Sequence, residues 1–185
     1  TGGGTYYDIQ RAYKTITAIN KNLVLLHCTT SYPTEAAFIH LLVIDELKKR
    51  YPNTVIGFSD HFPDVVFGPT AYVLGARVFE KHFTLNHKWK GTDQAFSLEP
   101  TDMAKYVRDI HTIMLAMDRE KKLDECEIKP LYKMGKKLVA SRDLKVGEIL
   151  TVADIRIVSP NDGLPPYELE RLIGKRIVRE IKEEQ

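Results

Sequence analysis

The chain has 185 residues, 43% hydrophobic and 28% charged, with a formal net charge of +2. That is an ordinary balance for a globular protein, with room for one domain or two small ones. The charge is too small to point to nucleic acid or a membrane surface as a partner, and no run approaches the roughly 20 apolar residues of a bilayer span. Thr1-Gly-Gly-Gly-Thr5 lacks the basic and apolar stretches of a secretory signal, and Cys28 and Cys126 sit in unlike contexts. The unlike contexts of the two cysteines favour a reducing, cytoplasmic setting over a disulfide.

In chain order, Thr5 opens a helical pattern over residues 6–19. Asn22 to Cys28 is a short, nearly continuous apolar run, as a parallel strand covered on both faces reads. Thr34 is placed to cap a helix that ends near Tyr51-Pro52, and the run Thr54 to Phe58 is a second strand. Val65 to Leu74, stopped by Gly75, reads as a helix, and Arg77 to Phe83 as a third strand. Thr101 opens a long helix with Met103, Tyr106, Val107, Ile110, Ile113, Met114 and Met117 on one stripe. Repeated strand–helix units imply a parallel sheet with crossover connections. A (β/α)8 TIM barrel takes about 250 residues, so three strands are either a small open sheet or the C-terminal portion of a barrel. Thr1-Gly-Gly-Gly then resembles a loop that follows a strand outside this sequence. The barrel-like part is assigned to residues 1–118. Residues 119–135, rich in Asp, Glu and Lys with Pro130, read as a linker. Residues 136–185 form a separate module, with short strands at Lys137–Ser141, Glu148–Thr151, Asp154–Val158 and Lys175–Val178 and a brief helix at Tyr167–Leu172.

Chemistry-bearing residues gather at strand ends. His27 ends the first run, His61 follows the second in Gly57-Phe-Ser-Asp-His61, and His82 ends the third in Glu80-Lys81-His82. The C-terminal ends of parallel strands open on one face, so these imidazoles are expected to converge. Two imidazoles with open positions suit a catalytic metal, whereas a single His is more often a hydrogen-bonded core residue. Alternation puts Glu80 and His82 on one face, fit for acid–base or sugar-binding work or for a rim salt bridge, with Lys81 on the other. Asp93 is a candidate for sugar hydroxyls or plain turn chemistry, and Trp89 for stacking on a sugar or covering a core edge.

The motifs Leu26-His27-Cys28-Thr29 with Tyr32-Pro33, Gly57 to His61, Leu74-Gly-Ala, Glu80 to Thr84, and Gly91-Thr-Asp to Ser97-Leu-Glu-Pro100 resemble those of sialic acid synthases in order and spacing. Lys145-Val-Gly-Glu148, Thr151 to Ile155, Gly163-Leu-Pro-Pro166 and Leu172-Ile-Gly-Lys175 resemble the antifreeze-like (SAF) domain of the same enzymes, a small β-rich, β-clip module. The resemblance covers essentially the whole chain. It implies strands six to eight of a TIM barrel followed by the SAF domain. It also implies condensation of phosphoenolpyruvate with N-acetylmannosamine or a related sugar to give a nonulosonic acid and phosphate. His27 and His61 then hold a divalent metal, manganese first with magnesium or cobalt as alternatives. Glu80 and His82 are the catalytic candidates, and Ser59, Lys81 and Asp93 the substrate contacts. Family members are homodimers in which one subunit's SAF domain caps its partner's site.

Two departures qualify the resemblance. The strands that supply the lysines for phosphoenolpyruvate lie outside this sequence, so the chain by itself is expected to be inactive. Ser159 stands where many bacterial members carry an arginine that contacts the N-acyl group, which leans toward the animal-like branch and its 6-phosphorylated sugars. The competing reading is a non-catalytic module that binds a sugar or a partner. Ice binding is discounted, because the tail is rich in Lys, Arg and Glu.

Overall fold

A computed structural model describes residues 1–185 and divides them into two compact units, Thr1–Arg119 and Glu120–Gln185. In the first unit α1 (Tyr6–Thr17) begins at a capping box, in which the Thr5 hydroxyl accepts from the Asp8 amide and the Asp8 carboxylate accepts from the Thr5 amide. Three parallel strands follow, β1 (Val24–Cys28), β2 (Val55–Asp60) and β3 (Val78–Lys81), adjacent in that order. Helices α2 (Leu42–Arg50), α3 (Phe67–Leu74) and α4 (Pro100–Leu115) separate and follow them.

Strand alternation divides the sheet into two faces. Leu25, Ile56, Phe58 and Phe79 pack with Ile44, Leu47 and Ala71 of the helices. Ile44 and Leu47 have no exposed surface, and each such aliphatic side chain contributes roughly 1.5–3 kcal/mol. On the opposite face Val24, Val55 and Val78 are 38–47% exposed. The register pairs His27 with Phe58, Ser59 with Glu80, and Asp60 with Lys81. The sequence reading of a parallel sheet with intervening helices holds.

Some boundaries differ, for local reasons. Thr34 does not cap a helix. Its hydroxyl donates to the carbonyls of Ser31 (2.8 Å) and Thr29 (3.3 Å), and only a 3-10 turn, Ala36–Phe38, precedes α2. The helix read over Val65 to Leu74 (α3) starts at Phe67, and β3 stops at Lys81, so that His82 and Phe83 lie beyond it. Gly68 lies against Tyr106 of α4, where an added Cβ would run into the phenol ring.

In the second unit the stretch read as a linker contains a helix, α5 (Glu125–Met134). A capping box of Asp124 and Glu127 starts it and it accommodates Pro130, so the charged composition reflects solvent exposure rather than an unstructured connection. Antiparallel β4 (Lys137–Ala140) and β5 (Ile155–Val158) follow, with α6 (Leu169–Leu172) after a 3-10 turn. The other two segments read as strands pair only through a single Ile149–Arg176 bridge and neighbouring backbone bonds. Ala140, Leu144, Leu150 and Ile177 form the core of this unit. Its turn is fastened by Asp154, whose carboxylate accepts from the Thr151 hydroxyl (2.7 Å), the Thr151 amide (2.9 Å) and Arg142. These bonds, the Thr151 hydroxyl foremost, hold the Asp154 carboxyl below its ordinary value.

Gly68→Ala is expected to lower stability by about 1–3 kcal/mol, because the added methyl overpacks the contact of α3 with α4; denaturant unfolding measures it. A depressed carboxylate stabilises fully above its unfolded value near 3.8, and that contribution fades as the pH falls through the folded value. Asp154→Asn should therefore start less stable at neutral pH and lose this part of the acid slope, as unfolding at a series of pH values would read.

Candidate active site at the C-terminal edge of the parallel sheet

The loops that follow β1, β2 and β3 meet over the end of the sheet. His61, just past β2, is buried at 5% exposure, and its Nδ1 lies 2.9 Å from the Thr29 carbonyl. A carbonyl has no proton to give, so Nδ1 carries the hydrogen of this bond. Nε2 faces the Ser59 hydroxyl at 3.3 Å, and the same hydroxyl donates to Glu80 Oε1 at 3.3 Å. The His82 ring stands 5.2 Å from the His61 ring, edge to face, and its Nδ1 is 3.6 Å from Asp93 Oδ2. Tyr32, half exposed, lies over both imidazoles, 4.3 Å from His61 and 5.8 Å from His82. Phe96 backs His82 at 5.1 Å, and the Asp93 carbonyl is held by the Ser97 hydroxyl at 2.7 Å.

Of the residues singled out from the sequence, Ser59, His61, Glu80, His82 and Asp93 thus come together. His27 does not join them in the structure. Its Nε2 donates to the Ile39 carbonyl at 2.7 Å, and its ring stacks on Phe58 of the helix-side core. The register explains this, because His27 is the neighbour of Phe58 and shares its face, whereas Ser59 and His61 lie on the other. The imidazole that His61 meets is that of His82.

Lys81 likewise departs from its expected role as a substrate contact. Its side chain is 3% exposed and turns to the helix side, where Nζ lies 3.0 Å from Asp60 Oδ2. It donates to the carbonyls of Phe62 and Asp64 and lies over the Tyr106 ring. Burial pushes the Asp60 carboxyl up and the Lys81 ammonium down, each opposed by the partner's charge. Burial also lifts the Tyr106 phenol, whose hydroxyl has no partner.

Tyr32 and Phe96 were not singled out as site residues. The signal for Tyr32 was its place in the loop that follows a parallel strand. The part played by Thr29 is carried by its carbonyl and leaves no mark on residue identity. No three His, Cys, Asp or Glu side chains gather as a ligand set; the edge offers the two neighbouring imidazoles of His61 and His82, a donor type that suits transition metals.

Residues 1–122 match the NeuB family and residues 137–185 the SAF domain. The chain belongs to the NeuB family and carries a SAF domain. It is 34% identical over 178 residues to the N-acetylneuraminate-9-phosphate synthase of Homo sapiens, covering 95% of this chain and 50% of that protein. It is also 34% identical to the N,N'-diacetyllegionaminic acid synthase of Campylobacter jejuni, covering 100% and 56%. The crystal structure of the spore coat polysaccharide biosynthesis protein SpsE of Bacillus subtilis superposes with a TM-score of 0.60 at 27% identity, over 100% of this chain and 57% of that one. The N-acetylneuraminic acid synthetase of Leptospira borgpetersenii, solved with citrate, gives 0.62 at 28% identity, over 70% and 46%. The chain spans about half the length of the curated relatives it matches.

Burial lowers the His27 imidazole below its ordinary 6.5, since charging it would cost solvation. The unfolded chain then binds the proton more readily, so stability is complete above about 6.5 and falls as the pH drops below that value toward the folded one. His27→Gln, which keeps a donor for Ile39, should flatten the pH dependence of the melting temperature between neutrality and mild acid.

Proposed function

We propose that the protein condenses phosphoenolpyruvate with N-acetylmannosamine or a related sugar, free or 6-phosphorylated, to give a nonulosonic acid and phosphate. This chain contributes the metal-holding sheet edge and the SAF module. One observation carries the reading: in a chain of the NeuB family, His61 and His82 stand edge to face past neighbouring strand ends, with the Nδ1 of His61 on a carbonyl and that of His82 3.6 Å from a carboxylate. Metal-binding histidines characteristically direct their other nitrogen to such oxygens.

A divalent ion fits this donor set, manganese first with magnesium and cobalt as alternatives. His61 and His82, with ring centres 5.2 Å apart, are the residues that would hold it. Bound there, the ion supplies Lewis acidity toward the aldehyde oxygen of the open-chain sugar. The bond forms between the methylene carbon of phosphoenolpyruvate and the aldehyde carbon; water adds to the carboxyl-bearing carbon, and phosphate leaves. Glu80, which accepts from the Ser59 hydroxyl beside His61, is the acid–base group for protons moving with the water. Asp93, its side chain 47% exposed, orients His82 and can accept from sugar hydroxyls. Tyr32 covers the imidazoles and limits the access of bulk water.

The proposed assembly is a cytoplasmic homodimer in which the SAF module of one subunit covers the site of the other. The unpaired Cys28 and Cys126 suit a reducing compartment, and no helix is long and apolar enough to cross a membrane.

His61→Ala and His82→Ala should each weaken manganese binding at least about tenfold and lower phosphate release from phosphoenolpyruvate in the presence of the sugar. His27→Gln should leave manganese affinity within about threefold, since second-sphere effects alone reach tenfold or more. Manganese titration followed by electron paramagnetic resonance distinguishes the two pairs. Unchanged affinity in both His61 and His82 variants would remove the metal from this edge.

A further inference from the structure

The buried Asp60–Lys81 pair has no part in the chemistry above, and its placement calls for a reason. Each member immediately precedes one of the two facing imidazoles, Asp60 before His61 and Lys81 before His82. The two are register partners on neighbouring strands, with side chains 0% and 3% exposed on the helix side of the sheet.

The contacts of the pair converge on the backbone around His61. Asp60 Oδ1 accepts from the Phe62 amide at 3.0 Å, which closes a turn over His61. Lys81 reaches across from β3 and donates to the Phe62 carbonyl and, at 3.0 Å, to the Asp64 carbonyl. The segment after His61 is thus tied on one side by its own strand and on the other by the strand that carries His82. Asp60 Oδ2 meets Lys81 Nζ at 3.0 Å as a counter-charge without hydrogen-bond alignment, so the hydrogen bonds of both groups are spent on the backbone. A buried charge pair is a costly way to add stability, whereas a crosslink between strand ends fixes the spacing of what those ends carry.

We propose that Asp60 and Lys81 are positioning residues, a brace on the rear of the sheet that sets the separation and orientation of His61 and His82 for a shared divalent ion. This rests on the reading of those two imidazoles as the metal pair. Neither brace residue touches the ion or the substrate.

The test is manganese binding by electron paramagnetic resonance, with folding followed in parallel by circular dichroism. Lys81→Met keeps the aliphatic stem but strands the Asp60 charge, so it is paired with Asp60→Asn/Lys81→Met, which removes both charges at similar volume. The double variant should fold and bind manganese on the order of 10–100-fold more weakly, as loss of an orienting partner does. Lys81→Arg, with donors enough for Asp60 and both carbonyls, should stay within about threefold of the parent. A folded double variant with parental affinity overturns the proposal. So does a double variant that fails to fold while Lys81→Arg binds normally, because the pair then serves the fold alone. Were His61→Ala and His82→Ala to bind manganese like the parent, the metal reading itself would fail, whatever the brace variants do.

Discussion

Everything at the candidate site follows from the two-residue alternation of three parallel strands held in one register. With Ser59 beside Glu80 and Asp60 beside Lys81, a single residue step moves a side chain from the open face to the helix face. Ser59, Glu80 and the two imidazoles past the strand ends fall on one side; Phe58, Phe79, Asp60 and Lys81 fall on the other. The apolar members of the second set pack on α2, α3 and α4, which makes any other register costly. The hydrophobic core therefore decides which polar residues face away from the helices.

Much of this was legible in the residues. Continuous apolar runs gave the strands, Gly75 gave the end of α3, and the motifs gave the family. The choice of His27 over His82 as partner of His61 went astray at the register. Each strand end was located by where its apolar run stopped, and His27 and His61 were treated as equivalent. Matching Leu25 and His27 to Ile56 and Phe58 would have put His27 in the core row, and carrying Ser59–Glu80 onward would have paired His61 with His82. Thr34 misled for another reason: its hydroxyl is spent inside its own loop, a choice that local propensity does not reveal.

The first residues of the second unit show the opposite error. Charged composition and Pro130 suggested an irregular connection, yet Asp124 and Glu127 form a capping box and a helix follows. Composition describes what solvent sees, whereas the cap decides whether the first turn forms. The SAF module uses the same device at smaller scale, since Thr151 and Asp154 close a three-residue turn that Arg142 then anchors.

Apart from His82, which has the Asp93 carboxylate 3.6 Å away, the imidazoles at the strand ends and the brace lysine are aimed by main-chain oxygens: Ile39 for His27, Thr29 for His61, and Phe62 and Asp64 for Lys81. Every amino acid carries such an oxygen, so the aiming function at these four positions is uncoupled from side-chain identity. Side chains at these four positions can consequently be exchanged while His27, His61 and Lys81 keep their bearing.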